Sequence, residues 1–258
     1  MKVLVIGDSC TDVFIYGDIE RICPEAPVPV FKSTHTIKNP GMAKNVVMNF
    51  NTLGIDVDII TNNNEIKKTR YVDNRSNQMV LRVDDHDHCL RIKKSDLEKV
   101  EDYDIVVVSD YCKGFLNEDD IDDICSNSNI IFLDTKKRLN GWSLSADFIK
   151  INELEYKKNY EFLERGLGYE DKLIITRGGK GCEYMGEEFP VKEVHVKDVS
   201  GAGDTFLAVN KSDFDNIPKF EIGDNCGISV QSALDYTSGS SADITWKVTS
   251  VWEVEVVL

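Results

Sequence analysis

The sequence predicts an α/β fold built on a mostly parallel sheet. Three observations carry that reading. Short β-branched apolar runs recur along the chain, helical stretches lie between several of them, and two extended segments stand outside this alternation. The runs cover residues 3–6, 57–60, 105–108, 130–133, 148–151 and 173–175, each bounded by polar or turn residues, as buried parallel strands require. Helix spacing is clearest in 43–53, where Val46, Val47, Phe50 and Leu53 share a face and Gly54 supplies a stop. Residues 95–100, 119–125 and 153–163 are further predicted helices.

Residues 13–38 contain Pro24, Pro27 and Pro29 among short alternating runs, and residues 67–84 alternate apolar and polar side chains. Both predict extended strands outside the main sheet, forming a small β lid. In the tail, Trp252, Val254, Val256 and Leu258 alternate with Glu253 and Glu255, which is strand periodicity. The predicted organisation is one domain over 1–210, with lid strands from about 13–38 and 67–84, followed by a divergent, strand-rich segment over 211–258.

Charge narrows the function classes. A formal net charge of -15 over 258 residues repels a nucleic-acid backbone. A small phosphorylated ligand is still admitted, because backbone N–H groups can hold a phosphate locally. The opening apolar run is cut short by Asp8, which predicts a buried strand rather than a signal peptide, and no stretch reads as a membrane span. Seven scattered cysteines without a Cys-x-x-Cys pair predict reduced thiols in a cytoplasmic protein, with neither a zinc site nor disulfides.

Five motifs could carry chemistry. In Asp198-Val-Ser-Gly-Ala-Gly-Asp204, Ser200 can cap a helix whose first turn holds Asp204. Glycines at a helix start cost about 1 kcal/mol each against alanine, a cost that close approach of an anion to bare N–H groups would justify. Asp204 could then take a proton from an attacking hydroxyl; otherwise it merely complements the helix dipole. Asn152 and Glu155, after the run at 148–151, could position a phosphate and hold Mg²⁺ through water, or could form a capping box that needs no ligand. Asp8 and Asp12 follow the first strand, where α/β sheets bind ligands and carboxylates suit sugar hydroxyls; turn chemistry is the alternative. Pro40-Gly41-Met42-Ala43-Lys44-Asn45 opens a helix, either beneath a ligand or as a surface turn. Arg177-Gly-Gly-Lys-Gly181 could pass over a nucleotide or turn a hairpin. The Walker-type loop and an early Gly-x-Gly-x-x-Gly are both absent.

Together, in this order, these motifs resemble the ribokinase-like carbohydrate kinases of the phosphofructokinase-B type. Residues 21–30, 77–84 and 109–114 are similar to stretches of the D-glycero-β-D-manno-heptose 7-phosphate kinases, and the resemblance spans about residues 1–208. It implies a three-layer ribokinase-like fold with a β lid. It also implies an ATP- and Mg²⁺-dependent transfer to the anomeric hydroxyl of a sugar phosphate, in the route to ADP-heptose. By resemblance, Asp204 is the catalytic base and Gly201, Ala202 and Gly203 form the anion hole. Asp12, Gly41 and Asn45 hold the sugar, with Asn77 and Arg82 near its phosphate. Asn152, Thr176, Gly178 and Gly181 line the nucleotide, and Glu155 serves the metal. The lid strands could pair between subunits as a homodimer.

Departures from the family pattern are also legible. Met42 stands where the family has a glycine, and Lys44 where it has a small residue. The link from Thr61 to Lys67 is short enough to have lost a strand-helix unit, and polar residues 210–217 replace the helix that walls the adenine site. The rival readings are a catalytically impaired sugar-phosphate binder, or a kinase of the same fold for another sugar or a nucleoside.

Overall fold

The computed structural model describes residues 2–164 and 168–190, Asp204 and Phe206, and the backbone of 246–250 and 253–256. The chain opens with β1 (Val3–Gly7), buried throughout. Two long strands follow, β2 (Ser9–Ile22) and β3 (Pro29–Met42), then α1 (Ala43–Thr52). Next come β4 (Val57–Thr61), β5 (Lys67–Asp73) and β6 (Met79–Asp85). A short helix α2 (Lys94–Leu97) leads to β7 (Ile105–Asp110), α3 (Glu118–Asn127), β8 (Ile131–Thr135), β9 (Phe148–Asn152) and α4 (Glu153–Leu163). The described part of the domain ends in β10 (Leu173–Thr176), β11 (Cys182–Tyr184) and β12 (Glu187–Phe189).

The main sheet has eight strands in the order β12-β11-β10-β9-β8-β7-β1-β4. From β4 to β10 every pairing is parallel, and only the β10-β11-β12 turn-back is antiparallel. Parallel strands must be covered on both faces, and two clusters of buried side chains do this. One joins Leu4, Ile6, Val106 and Val108 to Ile121 and Ile124 of α3. The other sets Val3, Val5 and Val107 against Val46 and Phe50 of α1. The apolar spacing of 43–53 is therefore the inner face of α1, as the sequence predicts.

The lid is a separate four-stranded sheet, β3-β2-β5-β6. It begins nearer the main sheet than the prolines suggested. β2 starts at Ser9, so Asp12 is a lid-strand residue, and Pro40, Gly41 and Met42 are the last residues of β3 rather than the opening of a helix. The two sheets are joined by adjacent strands that cross together. Gly7 of β1 pairs with Thr61 of β4 in the main sheet, and Thr11 of β2 pairs with Lys67 of β5 in the lid. The short passage over residues 62–66 thus runs straight from core into lid, and β4 forms the edge of the main sheet.

In the tail, β13 (Trp246–Ser250) and β14 (Glu253–Val256) form an antiparallel pair, in keeping with the alternation. Gly201, Ala202, Gly203 and residues 210–217 lie outside the described residues. Among the described cysteines, Cys10, Cys23, Cys89, Cys112 and Cys125 are free. Cys182 is disulfide-bonded, which corrects the expectation of reduced thiols throughout; scatter along a sequence does not report separation in space.

Candidate active site

The carboxyl ends of β1, β7, β8 and β9 converge beneath the lid, where open α/β sheets bind ligands. A cavity of about 430 Å³ lies there, lined by residues from the lid, α1, the β7 loop and Asp204. Its wall brings together Asp12, Gly41, Asn45, Arg82 and Asp204 from the sequence-predicted set.

Asp204 has helical backbone and its side chain is buried. The Asn45 amide donates to its Oδ2 at 2.9 Å, and the Tyr111 hydroxyl donates to its Oδ1 at 2.7 Å. Burial pushes the carboxyl above the ordinary aspartate range, while those two hydrogen bonds pull it back down. A carboxylate so placed is a stronger base than a solvated one.

The lid supplies both signs of charge. Asp12 on β2 forms an ion pair with Arg70 on β5, whose guanidinium also lies 5.1 Å from the Phe14 ring centre. Gly41 makes room for this pair: a Cβ there would collide with Asp12 Oδ2 and sit 2.6 Å from Cys10 Sγ. Lys68, buried on β5, reaches the same cavity. Arg82 lines it while making a forked bond to Asp84 at 2.7 and 2.8 Å. Asn77 is not brought in; it is exposed in the turn between β5 and β6 with φ 54°.

Sequence reasoning missed Lys68, Arg70 and Tyr111. The signal for the first two was present, since Lys68 and Arg70 are two apart on a strand and must share a face. Tyr111 was quoted only as part of the 109–114 stretch. Its loop is set by Asp8, a fully buried carboxylate that accepts the backbone N–H groups of Tyr111 at 2.7 Å and of Lys113 and Phe115 at 3.2 Å. Asp8 therefore builds the loop and does not face the cavity.

Asn152 and Glu155 form the capping box of α4: Asn152 Oδ1 accepts from Glu155 N at 2.9 Å, and Glu155 Oε2 accepts from Asn152 N at 2.8 Å. The other Glu155 oxygen pairs with Lys136 at 2.7 Å. Lys136 also reaches Asp134, which is held by Lys150 at 2.7 Å. Among the described residues no three His, Cys, Asp or Glu side chains are grouped to hold a metal. Both Glu155 oxygens are therefore engaged within the protein, one in the helix cap and one with Lys136.

Thr176 ends β10, and Gly178 and Gly181 bound the turn into β11 with φ 58° and 97°. A Cβ at Gly181 would collide with the Phe189 carbonyl oxygen, so hairpin closure alone demands that glycine. Gly178 has open space above it.

Comparisons with known proteins bear on the fold. No family model matches the chain. Bifunctional protein HldE of a Nitratiruptor species is 30% identical over 265 residues, covering 80% of this chain and 55% of that protein. Among solved structures, phosphofructokinase-2 of Escherichia coli, in a variant form, superposes with a TM-score of 0.61 at 13% identity, over 83% of this chain and 86% of that one. Arabidopsis thaliana ribokinase complexed with ribose and ATP superposes at 0.56 and 14% identity, over 81% and 84%. The chain has a ribokinase-like fold. This ribokinase-like chain spans about half the length of the curated relatives it matches. Among its described residues no helix is long and apolar enough to cross a membrane.

Proposed function

We propose that this ribokinase-like chain is an ATP-dependent phosphotransferase that phosphorylates a hydroxyl of a sugar phosphate. The observation that carries the reading is Asp204: a buried carboxylate on the wall of a cavity, gripped through both oxygens and faced by a lid that offers a carboxylate and three cations. A neutral sugar needs hydroxyl-binding groups such as Asp12 and Asn45. The concentration of Lys68, Arg70 and Arg82 in one cavity favours a substrate that also carries a phosphate. The similarity of residues 21–30, 77–84 and 109–114 to heptose 7-phosphate kinases makes D-glycero-β-D-manno-heptose 7-phosphate the specific candidate, phosphorylated at its anomeric hydroxyl.

In this reading Asp204 accepts the proton as the sugar oxygen attacks the γ-phosphorus and ADP departs. The N–H groups of Gly201, Ala202 and Gly203 are assigned by sequence to the charge on the moving phosphoryl group. Asn152, Thr176, Gly178 and Gly181 are assigned to the nucleotide. Glu155 would hold Mg²⁺ through water, and that ion, when bound, supplies neutralisation of the phosphate oxygens. Closure of the lid over the cavity excludes water from the transfer. The edges of the lid sheet, β3 and β6, are the strands through which a homodimer would form.

Asp204→Asn keeps the shape and removes the base. General-base help is worth about 10²–10⁴-fold, so ADP release in the presence of heptose 7-phosphate should fall by at least that. Turnover at the parent rate would remove Asp204 from the mechanism. A parent protein that binds sugar phosphate in calorimetry but not ATP–Mg²⁺ would favour the non-catalytic alternative.

A further inference from the structure

Tyr111 touches the base and has no role in the scheme above. Its hydroxyl donates to Asp204 Oδ1 at 2.7 Å, and two ammonium groups lie near its ring, Lys68 at 5.7 Å and Lys136 at 5.4 Å from the ring centre. The backbone N–H of the same residue is fixed at 2.7 Å by buried Asp8. The residue is thus held at its backbone by Asp8 and at its hydroxyl by Asp204.

We infer that Tyr111 is a positioning residue for the base: its hydroxyl, 2.7 Å from Oδ1, orients the Asp204 carboxylate and stabilises its charged form. This rests on the kinase reading, in which Asp204 must be ionised to act. The phenol suits the task. Its own ionisation is pushed well above the usual tyrosine range by burial and by the nearby Asp204 and Asp134 carboxylates, so it stays a donor. Asn45 donates to the opposite oxygen from α1, a position shared with the sugar pocket. An entering hydroxyl can share Oδ2 with Asn45, while Tyr111 stays on Oδ1.

The other charged groups around Asp204 come from every neighbouring element. Asp134 on β8 and Lys150 on β9 oppose each other as an ion pair. Asp12 on β2 is balanced by Arg70 on β5, and Lys68 on β5 and Arg82 on β6 complete the cavity wall. The Cys10 thiol on β2 is pushed up to about 12, so it adds no charge at neutral pH. Among the described residues its hydrogen-bond partners are two neutral donors, Asn45 and Tyr111, and Lys150 adds a weaker favourable charge without a hydrogen bond to it.

The test is Tyr111→Phe in the full chain, which deletes one oxygen and keeps the ring near the two lysines. The acidic limb of kcat/KM should move up by about one pH unit, the size expected from losing one hydrogen bond to a charged group. The rate should fall about tenfold on the acid side and recover as pH rises. A uniform loss at all pH, which a structural role would give, or a limb that does not move, overturns the inference. In parallel, the Asp204 carboxyl carbon is titrated by NMR in ¹³C-aspartate-labelled parent and variant, and assigned with Asp204→Asn. Its midpoint should be higher in the variant, and equal midpoints overturn the inference. If the parent transfers no phosphoryl group, the kinase reading fails, and this titration still decides the inference on its own.

Discussion

Replacing Asp8 by Asn separates the scaffold of the site from its chemistry. The Asp8 side chain is fully buried. Its Oδ2 accepts Tyr111 N at 2.7 Å and Lys113 N at 3.2 Å, and its Oδ1 accepts Phe115 N at 3.2 Å and the Cys89 thiol at 3.4 Å. An asparagine can keep only one of those oxygens. In its better orientation the amide oxygen stays with Tyr111 and Lys113, and the NH₂ group is turned toward another donor, Phe115 N–H. One buried amide is then unsatisfied, at about 1–3 kcal/mol, and the remaining bonds lose their charge assistance. A total of about 2–4 kcal/mol follows by adding a modest loss for those bonds. Urea unfolding followed by tryptophan fluorescence reads this as a lower midpoint at unchanged slope. The variant should also lose activity in proportion to the displacement of Tyr111, although Asp8 does not face the cavity. Stability within about 0.5 kcal/mol of the parent, the range of a neutral surface change, would refute the argument that this carboxylate organises the loop.

Two further predictions concern the walls of the site. Met42 holds φ 59° and ψ -133°, a conformation that favours glycine and costs other residues about 1–3 kcal/mol; its buried side chain returns a similar amount by packing beside Cys10 and Ile66. Met42→Gly should therefore be more stable than Met42→Ala in thermal melts, the reverse of the usual order, and the opposite ranking would show that no strain is stored there. Asp134 is pushed up by burial, but Lys150 and Lys136 overcome this and hold its carboxyl below the ordinary aspartate range. A lowered folded value means that the pair stabilises above the unfolded value near ~3.9 and fades as pH falls through the lower folded value. Asp134→Asn should cost about 3–5 kcal/mol at pH 7 by leaving buried Lys150 unpaired, with the gap to the parent narrowing below about pH 4 in denaturant titrations; a gap independent of pH would show that the pair does not set the acid limb.

The main sheet was legible because parallel strands buried on both faces cannot hide their composition: the runs at 3–6 and 105–108 became β1 and β7 with shifts of one or two residues at their ends. The lid was legible from its prolines and alternation. Its boundary was not, because Ser9–Thr11 follow β1 directly in sequence and join the lid through pairing with residues 40–42 and, at Thr11, with Lys67. The capping box at Asn152 was readable locally, since both partners lie within one helical turn. The grip on Asp204 was not, because Asn45 is 159 residues away and Tyr111 is 93. Contacts of that range are set by the order of strands, which no window of sequence contains. Arg70 illustrates the middle case. Its strand and face were readable, but meeting Asp12 depends on the parallel register that sets Asp12 opposite Lys68 and Phe14 opposite Arg70.

The buried charges argue for a function at this end of the sheet. Asp110 is held by Lys137 through both oxygens at 2.8 Å, Asp134 by Lys150, and Glu155 by Lys136, all near the carboxyl ends of β7, β8 and β9. Buried ion pairs rarely add stability over apolar residues of the same size, because desolvation offsets their attraction. Three such pairs side by side are therefore poorly explained as devices for holding the fold, and the same strands are packed elsewhere by Val106, Val108, Leu133 and Ile151 without help from charge. The pairs make better sense as exchangeable partners. In the proposed kinase reading, a lysine that balances a carboxylate in the free protein would turn to a phosphate when one arrives, leaving the carboxylate for a hydrated cation. Such an exchange conserves charge around carboxylates that are themselves buried. It accounts for why Glu155, already satisfied as a helix cap through one oxygen, keeps its second oxygen on Lys136 and not on a backbone amide.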